Sequence, residues 1–347
     1  MDCRCRPGTP ALARLLAAVL WGLLAAAPPP TAAREADSPS TPTLWRALRE
    51  DGREAFYLMG SVHLGRPSML DFPPAVDAAW ARSEELVLEL DLDELAGDAA
   101  SRAAERHALI ASPASLRDRV SEHTLVELAR YLERRGDSLE PYLQLEPWYL
   151  AILIEAREAA RIGLDPSHGV DLHFAGRAAA SKPVVGLETT DSQLSILARL
   201  PLETQEELLL DALERTRDPR HGAGALVDAW ARGDDAELER IFYRPMHEAP
   251  ELATYYEQLI YGRNETMTQR LASLARDGKL RFVVVGVGHM VGERGIPHLL
   301  RDYGFRVHEV EARERTGRIS GNDERVEPGE GGGVAEMEGW GEGRDED

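Results

Sequence analysis

The sequence predicts an α/β domain whose N-terminal and C-terminal segments close into one shared sheet. Short apolar strand patterns occur near the start, in the middle and at the end of the chain. Long blocks of helical periodicity separate them, and two of the strands run straight into a Gly-x-x-His sequence. The 347 residues, 43% hydrophobic and 29% charged, suffice for a substantial core. With 60 acidic against 40 basic residues the net charge is −20, which repels nucleic-acid phosphate and argues against DNA or RNA as a partner.

Arg4, Arg6 and Arg14 precede the apolar run Leu15 to Ala27, and Pro28 to Ala33 follow it. A basic start, a short apolar run and small residues near a cleavage point read as a secretory signal peptide over residues 1–33, since a membrane span needs about 20 apolar residues. Cleavage would remove Cys3 and Cys5, the only cysteines, and leave an exported chain with no disulfide, no lipid-attachment cysteine and no integral membrane domain. The expected location is a bacterial periplasm or the extracellular space. Residues 34–42 read as a linker, 43–317 as the folded domain, and 318–347 as a disordered, acidic, glycine-rich tail.

Within the domain, Leu44 to Leu48 and Ala55 to Met59 flank the turn pair Asp51-Gly52 and predict a β-hairpin whose second strand stops at Gly60. Asp71 to Ser83 predicts a helix, with Asp71 as a cap-like start ahead of two prolines. In Glu85 to Leu92 the leucines alternate with Glu85, Val87, Glu89 and Asp91, so the period of two predicts a strand with its carboxylates on one face. Glu94 to Ile162 is helical, punctuated by Pro113, Gly136 and Pro141; Lys182 to Leu187 is a short buried strand. Helices return over Thr189 to Thr216, Ala223 to Ile241 and Ala249 to Asp277. Then come a strand (Leu280 to Val285), a glycine loop (Gly286 to Gly292), a helix (Ile296 to Tyr303) and a last strand (Phe305 to Val310).

Gly60-Ser61-Val62-His63 and Gly286-Val287-Gly288-His289 both continue a predicted strand. A glycine at a strand end permits a positive-φ turn and sets a histidine over the sheet edge, where open α/β sheets collect ligands. Composition alone yields roughly one Gly-x-x-His, and there are three; the third, Gly295 to His298, has no strand before it. The glycines of residues 286–292 also suggest a dinucleotide loop, but the spacing G-x-G-x-x-x-G and the C-terminal position argue against it.

These sequences, with the ELDLD strand, Pro147-Trp148, Gly169-Val170-Asp171, Gly186-Leu187-Glu188-Thr189 with Gln193, and Arg263-Asn264, resemble the TraB/GumN family of bacterial proteins, related to the Tiki metalloproteases. The resemblance runs from about Leu44 to Glu311. It implies a central mixed sheet with flanking helices and a large helical insertion, an architecture shared more distantly with erythromycin-esterase-like enzymes and a haem-binding lipoprotein. It also implies that the two histidines, a carboxylate and an arginine converge.

The residue chemistry supports a hydrolytic site. Two imidazoles, His63 and His289, and one carboxylate, Glu89, make a pocket suited to a divalent metal ion with positions left open for water and a peptide or small-molecule substrate. Arg263 is placed to stabilise an oxyanion or hold a substrate carboxylate. Asp91, Glu188, Asp171 and Asn264 are supporting candidates; Asp171 is expected to cap a helix over Leu172 to Ala180, and Glu188 to serve as an alternative ligand. A metal-free site with histidine as general base oriented by Glu89 fits the same residues, as does a non-catalytic pocket for haem or a divalent ion.

Overall fold

The computed structural model describes residues 40–90, 98–217, 222–249 and 252–310. The expectations for the signal peptide, the linker up to residue 39, Asp91 and the acidic tail lie outside these residues. Among the described residues no helix is long and apolar enough to cross a membrane.

Six strands form one mixed sheet: β1 (Leu44–Leu48), β2 (Glu54–Ser61), β3 (Glu85–Leu90), β4 (Val184–Glu188), β5 (Arg281–Gly286) and β6 (Arg306–Glu309). Their order is β4-β3-β5-β2-β1-β6. The β1–β2 hairpin is antiparallel and β6 pairs with β1, so the first and last described strands do close into the shared sheet. β4, β3, β5 and β2 are mutually parallel, which brings the ends of β2, β3, β4 and β5 to one edge. Gly60 lies opposite Val285 and Ser61 opposite Gly286, so both Gly-x-x-His sequences leave adjacent strands side by side. Ligands of open α/β sheets gather at such an edge.

Strand periodicity explains the two-sided burial. Tyr57 and Met59 of β2, Leu86 and Leu88 of β3, and Phe282 and Val284 of β5 face one apolar cluster; Phe56, Leu58, Val87, Val283 and Val285 face the other. The first cluster is completed by α1 (Pro74–Arg82), α5 (Val170–Ala178), α8 (Ala223–Arg232) and α9 (Asp235–Glu248). The second is completed by α10 (Gly262–Leu274) through Met267 and Leu271, and by α11 (Ile296–Asp302) through Ile296 and Leu300. A third cluster binds α2 (Asp98–His107), α3 (Glu122–Arg134), α4 (Pro147–Arg161), α6 (Thr190–Ala198) and α7 (Leu202–Arg215) into a helical unit beside the sheet. The large helical insertion is therefore present, and its fully buried Trp148 shows why residues 148–154 are so apolar.

Local details differ from the sequence reading where side-chain chemistry was overruled by position. α1 begins at Pro74 with Pro73 at its cap, because the proline ring presets the first-turn φ, while Asp71 closes a preceding 3-10 turn. Ala249 to Asp277 is not a continuous α-helix: a π-helical turn, Tyr256–Tyr261, precedes α10. The glycine loop is a 3-10 turn at Val287–His289.

At the far end of the sheet the buried Arg281 donates from Nε to Glu85 at 2.8 Å and from Nη1 to Asp277 at 2.9 Å, and Lys279 also meets Glu85. A guanidinium taken out of water needs both partners. Glu85→Gln is expected to cost about 1–3 kcal/mol in urea unfolding. The sheet edge from which both Gly-x-x-His sequences leave lies at the opposite end of β3 and should be unaffected.

Candidate functional site

The site is built from the ends of three parallel strands. β5 passes through Gly286 into the 3-10 turn that folds the buried His289 back over the sheet edge. β2 delivers His63, and β3 delivers Glu89 on the face shared with Val87 and Glu85, as the period of two requires. Neither Gly60, Gly286 nor Gly288 has positive φ, contrary to the expected turn chemistry. What they supply is the missing Cβ. On Gly60 it would lie 2.9 Å from Val287 Cγ2, and on Gly288 2.2 Å from the Phe242 ring.

Gly286 has a different function. A Cβ there would lie 3.2 Å from Glu89 Oε2, 3.5 Å from His289 Cδ2 and 3.8 Å from His63 Nε2. The two histidines and the glutamate thus face one space that the chain keeps free of any side chain.

Each imidazole is turned toward that space by an acceptor on its other nitrogen. His289 Nδ1 is 2.6 Å from Asn264 Oδ1, and Asn264 Nδ2 donates to the Arg294 carbonyl at 2.7 Å. The amide orientation follows from the carbonyl, so Nδ1 carries the hydrogen and Nε2 presents a lone pair, 3.9 Å from Glu89 Oε1. His63 Nδ1 lies 3.2 Å from Asp171 Oδ2. Asp171 therefore does not cap its helix: α5 starts at Val170 behind Gly169, and Asp171, in the first turn, is aimed at His63.

The electrostatics separate the two rings. Burial pushes His289 down to about 4, so the ring is neutral near pH 7. The Asp171 carboxylate raises His63, whose side chain is 63% exposed, so solvent screens the pair and moderates the rise. Burial by itself would raise Glu89, but Arg263, then His289, His63 and the Gly286 amide outweigh it and hold the carboxyl well below its ordinary range.

Arg263 is the second residue of α10, just past the π-helical turn, and bonds several acceptors within the protein. Nε bonds Glu188 at 2.9 and 3.1 Å, Nη1 bonds the Leu259 carbonyl at 3.2 Å, and Nη2 bonds Glu188 at 2.7 Å and also Glu89. In the structure Arg263 thus faces two carboxylates, Glu188 and Glu89. Glu188, expected as an alternative ligand, is Arg263's partner. Gln193, given no role by sequence, donates from Nε2 to Glu89 at 2.8 Å and to Glu188 at 3.0 Å; its only sequence signal was its place in GLETTDSQ. Of the other histidines, His298 bonds Arg301 and His173 packs on Phe72 and Phe174.

His63 and His289 present the nitrogen donors a divalent ion takes, each with the outer hydrogen bond typical of a metal-bound imidazole, around a space an ion would need. Glu89 is the adjacent carboxylate, although both its oxygens already accept hydrogen bonds. Among the described residues no three His, Cys, Asp or Glu side chains stand close enough together to form a complete ion-binding group.

The depressed His289 value has a consequence for stability. Between its ordinary 6.5 and about 4 the unfolded chain binds a proton that the folded chain refuses, so stability falls as pH drops through this window. The full cost is about 3 kcal/mol for a shift of this size. Glu89, depressed in the fold, adds a further loss below its ordinary 4.5, whereas the His63 pair is lost only as pH rises. Urea unfolding between pH 7 and pH 4 should show the slope in wild type and a flatter one in His289→Gln.

Comparison with known proteins places the chain in a sequence family. The sequence profile described as the TraB/PrgY/gumN family matches residues 43–309. The uncharacterized protein YbaP of Escherichia coli K12 is 25% identical over 277 residues, covering 75% of this chain and 97% of the relative. Metalloprotease TIKI1 of Danio rerio is 24% identical over 326 residues, covering 80% of this chain and 65% of the relative. Metalloprotease TIKI2 of Xenopus tropicalis is 25% identical over 305 residues, covering 74% and 58%. The chain spans less than two-thirds of either metalloprotease, and no solved structure matches it significantly.

Proposed function

The chain belongs to the TraB/PrgY/gumN family, and from that premise we propose that it is an exported, metal-assisted hydrolase that opens a peptide or ester bond over Gly286. The observation that carries the proposal is the pairing of His63 with Asp171 and His289 with Asn264. Both leave Nε2 on the side-chain-free space beside Glu89. The distant metalloprotease relatives and the apolar run near the N-terminus point the same way.

His63 and His289 would hold a divalent ion through Nε2, and Glu89 would add the negative charge that offsets it; bound there, the ion would supply Lewis acidity toward a substrate carbonyl and a bound water. Arg263 keeps Glu89 ionised, and Glu188 and Gln193 fix the geometry of both groups. His63, exposed at the mouth, meets the substrate first.

One observation favours a second reading, a metal-independent esterase: the two rings are displaced in opposite directions. Neutral His289 would take a proton from water at Nε2, while imidazolium His63 would return one to the leaving group. Metal analysis of the purified protein, with peptide and ester hydrolysis before chelation, after it and after re-addition of divalent ions, separates the two. Loss and recovery of turnover, with neither metal nor turnover in His63→Ala and His289→Ala, supports the metal-assisted hydrolase. Turnover indifferent to chelation but absent from both variants selects the second reading. Folded variants that match wild type in both respects overturn the site.

A further inference from the structure

We propose that the α8–α9 helix pair is a clamp that positions both histidine-bearing turns, acting through Trp230 and Tyr243; the proposal rests on the site described above. Trp230 donates from its indole nitrogen to the Gly60 carbonyl at 2.8 Å. Gly60 is the first residue of the sequence ending in His63. Tyr243 donates from its hydroxyl to the Gly288 carbonyl at 3.3 Å, and Gly288 directly precedes His289. Both side chains are buried, and their donors have no water to compete for.

Packing joins the two bonds. Gly60 lies against Val287, where a Cβ would stand 2.9 Å from Val287 Cγ2, so a shift of one turn displaces the other. Phe242 covers Gly288 so closely that no Cβ fits, and Tyr256 donates to the Phe242 carbonyl at 2.7 Å. The two helices are themselves tied at their junction. Gly233 ends α8 in the left-handed conformation, and Asp234 caps α9 by accepting from the Glu237 amide at 3.1 Å. One helix pair therefore holds both turns by their main chain and so fixes the separation of the two rings they carry. Trp230 and Tyr243 are positioning residues and meet neither substrate nor ion.

The test uses full-length protein carrying Tyr243→Phe or Trp230→Phe, with Tyr131→Phe as control. Tyr131 is equally buried and its hydroxyl donates to Glu158 at 2.8 Å within the helical unit. The readout is the His289 ring proton on Nδ1, followed by proton NMR with nitrogen-15 histidine and assigned by its absence from His289→Gln. Its exchange with solvent should be at least about tenfold faster in both clamp variants and unchanged in the control. Cobalt(II) affinity by calorimetry should fall about tenfold in the same two variants, as supporting partners of metal ligands do. A ring proton protected as in wild type in either clamp variant, or lost equally in the control, overturns the clamp. Wild type that takes no cobalt counts against the metal reading alone, and the ring proton still decides the clamp.

Discussion

Arg263→Met is expected to destabilise the fold by about 3–5 kcal/mol, the range found when one partner of a buried ion network is removed. Arg263 is nearly inaccessible and gives four of its hydrogen bonds to Glu188 and Glu89. Without it two carboxylates share a dry pocket, with Gln193 as their common neutral donor. Glu89 should then titrate upward, since Arg263 is the largest influence lowering it. Urea unfolding at pH 7 and pH 5 checks both: the deficit should shrink in acid, because protonating a carboxyl relieves the repulsion. Arg263→Lys should recover only part of the loss, since an ammonium cannot reproduce the fork across two carboxylates. An Arg263→Met protein as stable as wild type would show that the pocket is solvated enough to need no counter-charge.

Gly286→Ala should separate function from stability. The backbone at Gly286 has φ −48°, which alanine adopts without strain. The new methyl meets only Glu89 Oε2 tightly, at 3.2 Å, so the stability change should stay within about 1 kcal/mol. Yet the methyl occupies the space faced by both histidines. An ion bonded to imidazole nitrogen at about 2.0–2.1 Å would overlap it. Turnover is expected to fall on the order of 100-fold or more, as small displacements at a reacting centre do. Circular dichroism and unfolding should be close to wild type.

The edge of the sheet was legible because strand signals are local. The alternation in Glu85 to Leu92 placed Glu89 on a definite face, and two apolar strands leading into Gly-x-x-His placed both histidines at strand ends. The hairpin was equally local, its turn announced by Asp51-Gly52. The partners were not legible, because they arrive from distant parts of the chain. Asp171 looked like a helix cap, and only the bond from the Val170 amide to the Val62 carbonyl, which sets the start of α5 against the turn after β2, brings it to His63. Arg263 looked like a substrate contact, and only the fold shows its bonds to Glu188 and Glu89. The glycines were expected to serve φ, whereas Gly60 and Gly288 serve close approach, to Val287 of the neighbouring turn and to Phe242 of α9, partners that lie far away in the sequence.

Calorimetric titration of cobalt(II) into the purified protein and into Gly286→Ala tests the central claim most directly. The account predicts one ion per wild-type chain and no saturable binding to the folded alanine variant. Equal binding by both proteins, or none by wild type, would contradict it.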